Sequence, residues 1–115
     1  MRNKVAIRER FLRDTPTVRL GGIAANLARI QSFSNHPDHR DAVENLIEES
    51  KFFIEWAAPE AELEVQVKLV ELQIQLAIWQ HGWKRIWENP SERKAAAEQA
   101  GKWSGEVLEM SGLLK

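Results

Sequence analysis

The densest group of residues able to do chemistry is His36-Pro37-Asp38-His39-Arg40-Asp41, two imidazoles and two carboxylates within six positions. Neutral imidazole nitrogen and carboxylate oxygen are ordinary donors to zinc and iron, so the cluster could ligate a metal. The same residues stand where a helix must begin, and there such side chains cap free amides and face water. No third histidine is near, because His81 lies far along the chain. Capping is the expectation, and no metal is assigned. Di-iron bundles need a glutamate three residues before an inward histidine. None of His36, His39 and His81 has one.

Nucleophilic and phosphate chemistry fare no better. Ser91-Glu92-Arg93-Lys94 has the Ser-x-x-Lys spacing of some serine acylases without their companion motifs. Gly101-Lys102-Trp103-Ser104-Gly105 misplaces its serine for a nucleophile elbow, and glycine loops that cradle phosphates are absent. The chain has no cysteine, which removes disulfides, thiolate metal sites and thiol catalysis. No catalytic residue and no cofactor are assigned, and a non-enzymatic protein is expected.

One ligand constellation is kept as an alternative. Trp79, His81 and Trp83, beside Gly101 and Gly105, could line a groove for a small apolar ligand or cofactor. Against that, aromatics recurring every four residues on a helix usually belong to a core, and glycines four apart usually let helix axes approach.

The elements that would position these residues follow from proline and glycine punctuation. Strand signals have little support. Helices are predicted at about 17–33, 38–57, 59–88 and 90–111, after a basic arm over residues 1–15. Leu20, Ile23, Leu27 and Ile30 share one face of the first helix, with Gly21 and Ala25 as small packing positions. Val43, Leu46, Ile47, Phe53 and Ile54 share a face of the second, leaving Phe52 and Trp56 off the stripe and near solvent. Asn89 is the expected N-cap of the fourth helix, with Glu92 as its capping-box partner. Short loops favour antiparallel neighbours, so the expected fold is all-α, an up-down four-helix bundle in one domain over 1–115.

Composition agrees. The chain has 115 residues, 43% hydrophobic and 29% charged, with a formal net charge of −1. That suffices for one core and does not suggest disorder. No apolar run reaches the length of a membrane span, and the first residues lack a secretory signal pattern, so a cytoplasmic protein without a membrane partner is expected.

The longest predicted helix carries the strongest signal. Val65, Leu69, Leu72, Leu76, Trp79, Trp83, Ile86 and Trp87 form one stripe, and Leu63, Val67, Val70, Ile74 and Ile78 form a second on the far side. A helix in a lone bundle has one inward face. The second face therefore calls for an added helix of the same chain or for another molecule. Burying five aliphatic side chains at about 1.5–3 kcal/mol each gives a gross gain of order ten kcal/mol before association costs. A homodimer through the second and third helices is expected, with Phe52 and Trp56 widening the patch as aromatic anchors.

The arm adds a third reading. Residues 1–19 hold Arg2, Lys4, Arg8, Arg10, Arg13 and Arg19 against Glu9 and Asp14, a pattern that could meet nucleic-acid phosphates or an anionic membrane. Residues 38–64 are strongly acidic and offer an internal counter-charge, so docking on the chain itself ranks above nucleic acid.

The runs Leu20-Gly-Gly-Ile-Ala-Ala-Asn-Leu-Ala-Arg-Ile30, Glu48-Glu-Ser-Lys-Phe-Phe-Ile-Glu-Trp56 and Leu69-Val-Glu-Leu-Gln-Ile-Gln-Leu-Ala-Ile-Trp79 resemble those of small, uncharacterised all-helical proteins of cyanobacteria. The likeness covers most of the chain past Thr15. It implies a bacterial cytoplasmic setting and carries no activity or site residue with it. The expectation is thus a helical interaction or scaffold protein that forms a homodimer.

Overall fold

A computed structural model describes residues 3–113. Their secondary structure is helical throughout: α1 (Lys4–Arg13), α2 (Pro16–Phe33), α3 (Arg40–Ala57), α4 (Leu63–His81), α5 (Trp83–Glu88) and α6 (Pro90–Ser111). Short 3-10 turns at Pro37–His39 and Ala58–Glu60 lead into α3 and α4.

Local chemistry sets the boundaries. The Asn3 side chain accepts the Ala6 amide at 3.1 Å, and Thr15 accepts the Val18 amide at 3.3 Å with Pro16 in the first turn of α2. Asn89 accepts from both Ser91 and Glu92 before Pro90 opens α6. Each cap satisfies amides that a helix start leaves without partners. Glu92 does not complete a capping box; its carboxylate takes Arg85 at 2.6 Å instead. Gly112, at φ 81°, ends α6 in the left-handed region that glycine enters without a steric penalty.

Two boundaries correct the sequence reading. The helix expected over 59–88 is two helices. Pro59 lies in a 3-10 turn, α4 starts at Leu63, and Gly82 (φ −108°, ψ 19°) breaks the run before α5. The Gly82 N–H bonds back to the Ile78 and Trp79 carbonyls and closes the last turn of α4. The expected arm is the helix α1, which packs on α3. Phe11 stacks on Phe53 with ring centres 4.4 Å apart and meets Trp56 at 5.9 Å, while Lys4 Nζ sits 3.9 Å over the Phe52 ring.

The core is centred on α2, which lies against α3 on one side and α6 on the other. Ile23, Leu27 and Ile30 from α2 meet Val43, Ile47 and Ile54 from α3 and Ala96, Ala100 and Val107 from α6. Small residues bring α2 and α6 close enough for the Ser104 hydroxyl to donate to the Ala24 carbonyl at 2.7 Å. A side chain at Gly101 would run into Gln31, whereas Gly105 is exposed with open space about it. Three amides of α4 bond to α3 or the turn after it: Gln66 donates to Ala58 O, Gln73 donates to Lys51 O, and Gln80 accepts from Lys51 Nζ. α4 and α6 pack less closely than α2 does on α3 and α6, and long side chains bridge them. Lys68 pairs with Glu106 at 2.5 Å, and the Trp79 and Trp103 rings lie 4.8 Å apart. With a smallest extent of 21 Å, the molecule is about two helix diameters thick.

Candidate functional site

Helix α4 divides into two apolar faces, as its spacing requires. Leu69, Leu72 and Leu76 are buried toward α3 and the core, and Val65 and Trp79 are partly buried beside them. On the opposite side Leu63, Val67, Val70, Ile74 and Ile78 stay 75, 52, 48, 52 and 58% exposed. They are five of the nine large hydrophobic residues left exposed among the described residues, and they share one helix face. Apolar residues scattered singly over a surface need no explanation, whereas these five form one contiguous row. Among the described residues, no other helix covers this row.

Phe52 and Trp56 do not extend it. Trp56 is 9% exposed and Phe52 is half-buried, because α1 lies over both. The expectation that they face solvent is corrected: the wheel of α3 does show them off the main stripe, but the helix that covers them comes from the segment read as an arm. Phe11, in apolar spacing with Ile7, was the available signal.

Beside the exposed row, the gap between α4 and α6 opens as a groove of about 590 Å³. Trp79, Trp103 and Ile86 supply its apolar floor, Gln75 and Gln99 its walls, and the Arg85–Glu92 pair one rim. Ile78 belongs to both groove and row, and a smaller continuation runs past Ile74, Gln75 and Lys68. Of the ligand-lining residues expected from the sequence, only Trp79 lines this groove. Trp83 is buried in the core, Gly101 faces α2, and His81 and Gly105 point to open solvent. Trp103 takes their place, since it recurs with Ala96 and Gln99 on the α6 face turned toward α4. The indole N–H of Trp83 is buried without a partner among the described residues, whereas that of Trp87 donates to Pro37 O at 2.8 Å.

Buried polar groups elsewhere are structural in their contacts. The Arg19 guanidinium pairs with Glu60 and donates to Leu12 O at 2.8 Å, tying the end of α1, the start of α2 and the α3–α4 turn together. Here the basic segment does meet the acidic one. Asn26, 1% exposed, donates to Glu49 at 3.1 Å and accepts from Arg29 at 3.0 Å. The His36 and His39 rings lie 4.9 Å apart; His36 Nδ1 accepts the Asp38 amide, and His39 Nδ1 is 3.2 Å from Phe33 O. Among the described residues, no group of three or more His, Asp or Glu converges as a metal site, and no helix is long and apolar enough to cross a membrane. No model of a known family, no curated protein and no solved structure matches the chain.

Proposed function

We propose that this protein is a non-enzymatic helical interaction protein of the cytoplasm that pairs with a second copy of itself along α4. On this reading its four long helices act as an up-down bundle opened along the α4–α6 seam. The single supporting observation is the exposed row Leu63, Val67, Val70, Ile74 and Ile78 on a helix whose other face is fully engaged. At their exposed fractions these side chains leave on the order of 500 Å² of apolar surface per copy in water. Two copies would then remove about 1,000 Å² in all, the lower bound of a specific interface, before any polar rim is added. Because α4 is already folded and held by α3, pairing it carries no cost of helix formation. With Phe52 and Trp56 under α1, the interface belongs to α4 rather than to two helices.

Light scattering across micromolar concentrations tests the pairing. The wild-type chain should show the mass of two copies and Ile74→Glu that of one, with an unchanged melting temperature for dilute protein because residue 74 touches no core. A wild-type mass of one copy at all concentrations would refute the reading.

The groove beside Trp79 and Trp103 favours a second reading, a site for a small apolar ligand. Its volume is within the range of small-molecule sites, and a few polar groups converge on an apolar floor. Titration with anilinonaphthalene sulfonate, followed by tryptophan emission, should then saturate, and Ala95→Trp, which fills the groove, should abolish the change.

A further inference from the structure

We infer that the two copies join their α4 helices parallel and in register, as a short two-stranded coiled coil; this rests on the pairing proposed above. The exposed face of α4 has a heptad pattern that its opposite, buried face conceals. Taking Val67 and Ile74 as a positions, Leu63, Val70 and Ala77 fall at d and His81 at the next a. Of the positions away from the seam, f and c are Val65, Leu72 and Trp79 and then Leu69 and Leu76, buried in this chain's own core or packed against it, and b is Lys68 and Gln75 on the side of α6. The a/d seam is therefore what the domain leaves over. β-Branched residues at a favour two parallel strands, and Ala77 at d lets the axes approach toward the C-terminal end.

Flanking charges choose the direction. The e positions are Glu64, Glu71 and Ile78, and the g positions are Gln66, Gln73 and Gln80. All three glutamines are fixed by hydrogen bonds to α3 or the turn after it, whereas Glu64 and Glu71 have no ion pair among the described residues. In a parallel pair, g of one copy meets e of the other one turn on. Gln66 then faces the second copy's Glu71, and Gln73 faces its Ile78; no two like charges meet. In an antiparallel pair, where Val70 sits opposite Ile74, the e rows face each other. Glu71 is then set against the second copy's Glu71 at the middle of the seam, a like-charge contact that opposes association.

The absence of native cysteine makes the direction measurable. Leu63→Cys and His81→Cys are both at exposed positions, so neither substitution disturbs the fold. In the parallel pair the two Leu63→Cys sites lie opposite each other, within the roughly 4.4–6.8 Å Cα separation of a disulfide. In the antiparallel pair they are about 27 Å apart, and each faces residue 81 of the other copy. Oxidation of full-length L63C with copper phenanthroline should convert most of the protein to covalent dimer. An equimolar mixture of L63C and H81C should yield like pairs with only a trace of mixed dimer. Mixed L63C–H81C dimers without L63C pairs would overturn the parallel register while leaving the dimer standing. A dimeric mass with neither link would move the contact off α4, and a monomeric mass would remove both this inference and the pairing beneath it.

Discussion

Leu72 and Ile74 stand two residues apart on α4 and face opposite ways, the first 2% exposed and the second 52%. Truncating them should separate folding from association. Leu72→Ala should cost about 2–5 kcal/mol in urea unfolding at any protein concentration, because it leaves a cavity in a packed core. Ile74→Ala should change the stability of dilute protein by no more than about 0.5 kcal/mol. At high concentration it should lower the melting temperature, because stabilisation by a partner follows mass action.

The α1 helix should contribute to stability through Phe11. Phe11→Ala removes the ring that packs on both Phe53 and Trp56 and should cost about 3 kcal/mol. Deleting residues 1–13 should lower the melting temperature and shift tryptophan emission to the red as Trp56 meets water. An arm serving only an external partner would leave both readings unchanged.

Removing either partner of the Arg19–Glu60 pair should have unequal effects. Arg19 is buried and Glu60 is mostly exposed. Glu60→Gln leaves a buried cation with only neutral acceptors and should cost about 2 kcal/mol. Arg19→Met leaves the carboxylate free in water and keeps the aliphatic packing, so it should cost less. Chemical denaturation of the two variants at one salt concentration makes the comparison.

Asn26 makes the buried polar link between α2 and α3. Asn26→Ala should cost about 1–3 kcal/mol, since Glu49 and Arg29 both lose a partner. Asn26→Asp, which keeps the acceptor for Arg29 but sets a carboxylate against Glu49, should also lower stability. Urea midpoints of the three proteins check both.

The α4 row was legible because apolar residues at spacings of three and four leave no choice of face, and Leu63 to Ile78 lie where that spacing puts them. The caps at Asn89 and Pro90 were legible for a similar reason, since their chemistry is local. Phe52 and Trp56 were misread because their cover, α1, has a weak apolar pattern hidden among arginines, and burial by a distant segment leaves no mark on the helix being buried. The break at Gly82 was missed because the tryptophan stripe runs through it with its period intact. The groove was invisible for a further reason: it is set by how far α4 stands from α6, and Trp103 alone does not reveal that distance.

The bond from Ser104 to the Ala24 carbonyl spans eighty positions of chain. Since α6 covers one whole flank of α2, a nascent chain that has completed α2 and α3 must leave Ile23, Leu27 and their neighbours uncovered until the final long helix leaves the ribosome. At synthesis rates of roughly 5–20 residues per second, that interval lasts several seconds. During it the half-made core is exposed to chaperones and to other unfinished chains, a delay set by topology and not by the speed of any single helix.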